Sequence, residues 1–352
     1  MTGRPGAAYP PVMDDLLERA LEDGPRLRSR VEAFLGPAPR NVPDFWEPGV
    51  GEIRYISVPG AEIRVIRVRP DHPRVRPDHP RVRPDHPRVR PERPEALRPV
   101  VLVPGWGTTP EGFRGFYGPL HGKAELYYIE TREKNSSRIR GRRPEMSPVR
   151  SALDIRTALD AAGLTGGDYI LAGTCWGSAL ILEGMIRGCL DPPTALLADP
   201  MHTLWFNKAF LRWISPWIPA FAIRAVRPLL RQALVGDLKD GAQKQRTFDF
   251  IDGADVWKWK KSAEAAWDFE LFGRLGAVKR EVFVLNGTGD KVHDPRNYPR
   301  VAAELPGGRF LRMPLDEAYR EGMFGAVALE FARVGAGDGL PAGLTEFERA
   351  VR

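Results

Sequence analysis

The sequence predicts an α/β protein: a mainly parallel sheet covered by helices on both faces, with a helical cap inserted late in the sheet. Three observations carry that reading. Short, continuous apolar runs such as Val100-Val101-Leu102-Val103 have the character of strands buried on both faces. These runs alternate with stretches of helical periodicity from residue 100 onward. One such junction, Gly173-Thr174-Cys175-Trp176-Gly177, is a Gly-flanked turn between an apolar run and a helix-like segment.

The elements follow in order. Residues 13–35 space Met13, Leu16, Leu17, Ala20 and Leu21 as outer helices do. Residues 52–58 and 61–68 flank Pro59-Gly60 and predict an antiparallel hairpin at the sheet edge. The heptapeptide Arg67-Val68-Arg69-Pro70-Asp71-His72-Pro73 then recurs at 74–80 and 81–87, with a decayed copy at 88–94. Two prolines per period forbid a coiled coil, and an extended, solvated, disordered loop is expected. Strands are expected at 100–103, 125–130, 169–172, 194–198, 282–285 and 310–313. Helices are expected at 111–120, 147–162 and 298–304, with 326–334 in the last one. Between 201 and 278 lies a long insertion rich in tryptophan and proline.

The resulting division is a helical extension (1–45), the edge hairpin (46–68), the repeat loop (69–97), an α/β core (98–200 and 279–335), the cap (201–278) and a C-terminal tail (336–352). Of the formal net charge of +7, residues 67–94 supply +5 from nine arginines and four acids, leaving +2 elsewhere. Such a balance argues against a nucleic-acid partner. Two cysteines, Cys175 and Cys189, imply no disulfide framework. The first residues lack the apolar region of a signal peptide, and no run of about 18 apolar residues exists. A cytoplasmic location is therefore expected. No Gly-rich phosphate motif and no metal-ligand spacing occurs, so neither cofactor nor metal is expected.

Strand, sharp turn and helix around Cys175 form the context in which a G-x-S-x-G elbow presents a nucleophile, here with a thiol at its centre. With Pro104-Gly105-Trp106-Gly107 after an earlier strand and Asn286-Gly287-Thr288-Gly289-Asp290 after a later one, residues 100–334 resemble the α/β-hydrolase superfamily. The cysteine elbow resembles those of dienelactone hydrolases and polyhydroxyalkanoate synthases. The resemblance implies that Cys175 is the nucleophile, that the N–H groups of Trp106 and Trp176 form the oxyanion hole, and that Asp290 is the triad acid.

It also implies a histidine before the final helix, and residues 313–324 contain none. His202, after Asp199-Pro200, and His293, three residues past Asp290, are the alternative bases; each equally fits a polar loop position. His121 reads as a surface or capping residue. Trp205, Phe206 and Tyr319 are expected in an apolar substrate pocket. The charged run Glu130-Thr131-Arg132-Glu133-Lys134 either binds an anion or, as its composition favours, is a solvated loop with ion pairs. Asp316, Glu317, Arg320 and Glu321 occupy the place of the missing base.

Three functions compete: hydrolysis of an ester or thioester, acyl transfer, and non-catalytic binding of an apolar molecule or partner under the cap. Peripheral membrane contact by the cap, where arginines interleave with aromatics, is a further expectation.

Overall fold

The computed structural model describes residues 11–70, 97–141, 143–204, 206–225, 248, 251–286, 294–316 and 319–352. The repeat beyond Pro70, Trp205, Asp290, His293 and Glu317 lie outside them.

The apolar runs form one mixed sheet in the order β1-β2-β4-β3-β6-β7-β8-β9-β10. The strands are β1 (Glu52–Val58), β2 (Ala61–Val68), β3 (Val100–Val103), β4 (Leu126–Ile129), β6 (Ile170–Thr174), β7 (Thr194–Ala198), β8 (Glu281–Asn286), β9 (Gly307–Arg312) and β10 (Glu348–Arg349), with β5 (Arg138–Ile139) paired to β2. Strands β4, β3, β6, β7, β8 and β9 run parallel. The β1–β2 hairpin joins β4 antiparallel, and β10 joins β9 the same way.

Alternation along β3 shows why the run is wholly apolar. Val101 and Val103 enter one core layer with Ile155 and Leu180, while Val100 and Leu102 enter the other with Phe116 and Phe324. Those partners come from helices α3 (Arg114–Leu120), α4 (Pro148–Ala161), α5 (Trp176–Ile186) and, near the C-terminus, residues 320–332. Before the hairpin lie α1 (Pro11–Leu21) and α2 (Leu27–Leu35).

Residues 201–278 leave the sheet between β7 and β8. They contain a π-turn (Phe210–Ile214), a 3-10 turn (Ser215–Trp217), α6 (Ala220–Ala225) and α7 (Val256–Ala265). Pro216 and Pro219 fall where this chain changes helix type or breaks, as a missing N–H requires. Helices α8 (Asn297–Glu304) and α9 (Arg320–Ala332) complete the core.

The C-terminal segment, expected as a tail, instead buries Leu344, Phe347 and Val351 and ends as a sheet strand. Arg309 of β9 holds Glu348 in place through a two-nitrogen contact of 2.6 and 2.8 Å. Because the central strands are parallel, Pro104, Thr131, Cys175, Asp199 and Met313 all leave the sheet at one edge, where α/β sites form.

Candidate active site

Cys175 sits between the end of β6 and the first turn of α5 with φ 51° and ψ −114°, a backbone state that non-glycine residues avoid. Its N–H donates to the Ala198 carbonyl (2.9 Å), and its own carbonyl accepts from Ala179 (3.2 Å) and Met201 (3.3 Å). These bonds hold the strained turn from three sides. The flanking glycines are obligatory for space. A Cβ on Gly173 would lie 2.8 Å from the Ser178 nitrogen, and one on Gly177 would lie 2.1 Å from the Val103 oxygen. Cys175 as a residue is half-buried, packed against the core.

Beside it runs the loop after β3. A Cβ on Gly105 would come within 3.2 Å of the Cys175 Cβ, so the loop passes directly over the elbow. Gly105 N–H donates to Thr174 Oγ1 (2.9 Å), tying loop to strand. At Gly107, φ 62°, a Cβ would lie 2.1 Å from the Trp259 ring of α7, so any larger residue would have to displace that ring. The rings of Trp106 and Trp176 lie 5.5 Å apart; Phe206 meets Trp106 at 6.1 Å and Phe269 meets Trp176 at 5.1 Å. Four aromatic rings, two of them from the cap, therefore border the elbow. Trp176 N–H stands at the first position of α5, where backbone donors have no helical partner.

The charged run after β4 departs from the solvated loop expected of it. Glu130, Thr131, Arg132, Glu133 and Lys134 are all at most 2% exposed. Each charge is answered. Arg64 grips Glu130 (2.6 and 2.9 Å), and Arg132 pairs with Asp154, which Arg150 also bonds at 3.0 Å. Lys134 pairs with Glu133 at 3.4 Å and donates to the Gly105 carbonyl. From the cap, Lys258 donates to the carbonyls of Lys134, Asn135 and Ser137 at 3.0, 2.9 and 2.6 Å. Burial pushes the Lys134 ammonium below the usual lysine range, against the pull of Glu133, Glu130 and Cys175. The sequence pointed to Lys134 only as part of the charged run, and not to Lys258. Only the order of the strands reveals that a hydrophilic run at this edge is covered by the hairpin and by α7.

The alternative base His202 stacks on Phe272, with centroids 4.3 Å apart. Burial, with Arg300 and Lys208 nearby, drives its pKa down to about 4. A neutral ring held on an aromatic face is a weak proton acceptor at neutral pH. Tyr319 is 57% exposed at the start of α9. Asp316 is exposed and bonds Arg28 (2.6 Å), and so helps anchor α2. Arg320 turns toward Asp199 at 3.7 Å, and toward Glu321 at 3.5 Å. Asp199, buried at the end of β7, shares with Cys175 a positive φ (47°). His121 bonds the Tyr117 hydroxyl (2.9 Å) through Nδ1 after α3.

In the cap, Trp213, Ile214, Trp217 and Phe221 are exposed. No helix of the described residues is long and apolar enough to cross a membrane, and no group of three or more His, Cys, Asp or Glu among them is arranged to hold a metal.

A parallel sheet with a glycine-flanked, strained residue between its central strand and the next helix defines a hydrolase-type fold. The family model described as the alpha/beta hydrolase family matches residues 100–337, and the chain belongs to that family. No curated protein sequence matches the chain. Among solved structures it is similar to an esterase from Exiguobacterium antarcticum (TM-score 0.60, 15% identity, 80% of this chain and 99% of that one). It is also similar to a hydrolase from Pseudomonas aeruginosa PA01 (0.57, 15%, 80% and 98%). The enol-lactonase from Burkholderia xenovorans LB400 is a third such structure (0.56, 14%, 80% and 100%). At these identities the likeness is one of fold.

Proposed function

We propose that the protein cleaves or transfers an acyl group of an ester or thioester through Cys175. The observation that carries this reading is the strained, partly exposed cysteine at φ 51°, crossed by the Gly105 loop and heading α5. The thiolate sulfur attacks the acyl carbonyl carbon, and the carbonyl electron pair moves to oxygen. The backbone N–H groups of Trp106 and Trp176 receive that oxyanion. Its collapse breaks the acyl C–O or C–S bond and expels the alkoxide or thiolate, which takes a proton from solvent, leaving an acyl-thioester on Cys175. Water or an acceptor hydroxyl or thiol then attacks that thioester, and its C–S bond breaks to return the thiolate.

Preorganised donors of this kind are typically worth about 10²–10³ in rate each. The position of Cys175 at a helix N-terminus favours the anionic sulfur. Asp290 is the acid and His293 the remaining candidate base on grounds of sequence order. The aromatic border of Trp106, Trp176, Phe206 and Phe269 suits an apolar acyl group.

Release of p-nitrophenol from a panel of p-nitrophenyl esters, with acyl-CoAs assayed in parallel by thiol release, tests the proposal. Turnover above that of Cys175→Ala supports it, and equal rates refute it. A second reading, non-catalytic binding of an apolar molecule under the cap, is favoured by the Arg320–Asp199 pair standing where a catalytic histidine is usual. Ligand binding that survives Cys175→Ala, without turnover in either protein, would support it.

A further inference from the structure

We propose that Lys134 is a positioning residue of the oxyanion hole: its buried ammonium, on the Gly105 carbonyl, aims and polarises the Trp106 N–H. The inference deepens the acyl-transfer reading and rests on it.

The carbonyl of Gly105 and the N–H of Trp106 belong to the same planar, trans peptide group, so they point in opposite directions. Whatever fixes the carbonyl fixes the N–H. Three donors converge on that carbonyl: the Lys134 ammonium, the Thr108 hydroxyl at 2.7 Å and, more weakly, the Thr108 N–H at 3.4 Å. Lys134 also reaches Thr108 Oγ1 at 3.3 Å, which closes a three-membered set around the oxygen. The other end of Gly105 is held too, by Thr174, the residue before the cysteine.

The bond is charged and dry. Lys134 is 2% exposed and its only salt-bridge partner among the described residues is Glu133, 3.4 Å away. An ammonium donor on an amide oxygen withdraws electron density from the nitrogen. The N–H on the far side becomes a stronger donor, as in any chain of hydrogen bonds in a low-dielectric interior. Lysine burial is costly, and a loop brace alone needs no charge. The carbonyl that receives the ammonium belongs to the loop whose Gly105 lies against the Cys175 Cβ.

The brace continues into the cap. Lys258 of α7 holds the carbonyls of residues 134, 135 and 137, and its neighbour Trp259 packs on Gly107. Both sides of the Pro104–Thr108 loop are thus fixed by side chains remote in sequence.

The test compares two reactions at one sulfur. Acylation by a p-nitrophenyl ester develops an oxyanion; alkylation by iodoacetamide forms the S–C bond and expels iodide without one. Lys134→Met is expected to slow acylation of Cys175 by about 10²-fold while alkylation changes less than about threefold. The loss should appear in kcat/KM and in the single-turnover acylation rate, both of which report formation of the acyl-thioester. Thr108→Val, which removes one neutral donor from the same carbonyl, is expected to slow acylation by about three- to tenfold and to leave alkylation alone.

Equal slowing of both reactions would mean that Lys134 merely shapes the elbow, and no slowing would mean that it does nothing there; either overturns the proposal. If Lys134→Met does not fold, Thr108→Val decides, and unaltered acylation in it is the contrary result. Wild-type protein that alkylates but never acylates would remove the acyl-transfer reading itself, whereas acylation indifferent to both substitutions removes only the role of Lys134.

Discussion

Replacing Gly177 by alanine adds a single methyl group at the most crowded point of the elbow. The new Cβ would stand 2.1 Å from the Val103 oxygen and 2.7 Å from that of Pro104, where ordinary contact begins at 3.4 Å. One partner must therefore retreat by more than about 1 Å, a displacement beyond what well-packed interiors absorb without strain. Val103 cannot retreat cheaply: β3 is pinned between β4 and β6, with Val103 in register with Gly173. The movement falls on α5, whose residues 176–185 are all buried.

Two magnitudes oppose each other. Alanine gains up to about 1 kcal/mol over glycine in a helix. Overpacking costs about 1–3 kcal/mol, and a clash with backbone at this separation belongs at or above the upper end. The expected net loss is about 2 kcal/mol, read as a lower urea midpoint at unchanged m-value. Because Trp176 N–H moves with α5, acylation of Cys175 should also fall by at least tenfold in the folded variant. An unfolding free energy within 0.5 kcal/mol of wild type, or above it (about the helix-propensity term alone), would refute the packing argument.

Other expectations follow from the buried charges. Arg132→Met leaves Asp154 buried with only Arg150 to answer it, and should cost about 3–5 kcal/mol in denaturant unfolding; a cost below about 1 kcal/mol would show that the pair is not needed. His202 is protonated in the unfolded chain below its ordinary pKa of about 6.5 but, folded, only near 4. Its contribution is thus fully present above pH 6.5 and lost as pH falls toward 4, because the unfolded state then binds the extra proton. The stability advantage of wild type over His202→Gln should shrink by about 2–3 kcal/mol between pH 7 and pH 4.5, and a pH-independent difference would contradict the burial.

The parts of the fold that were legible from sequence are those dictated locally. Gly173, Cys175 and Gly177 announce the elbow because their spacing answers a steric demand that holds wherever a strand turns sharply into a helix. β7 could be read to the residue because both faces are buried and Asp199-Pro200 stops it. What escaped is non-local. Glu348-Arg349 carries no strand signal, and pairs only because β9 offers an edge and Arg309 a partner. The run at 130–134 reads as solvated from its composition, yet Arg64, Asp154 and Lys258, from three distant segments, pair and cover it. The contact of Lys134 with the Gly105 carbonyl becomes visible only once β3, β4 and β6 are known to lie side by side.

Intact-mass analysis after exposure to a p-nitrophenyl ester or an acyl-CoA, with peptide mapping of any adduct, asks whether Cys175 takes up the acyl group. The expected result is one acyl group per chain, located on Cys175 and absent from Cys175→Ala. A chain that remains unmodified with every acyl donor, or that carries the group on Cys189 or a lysine instead, would contradict it.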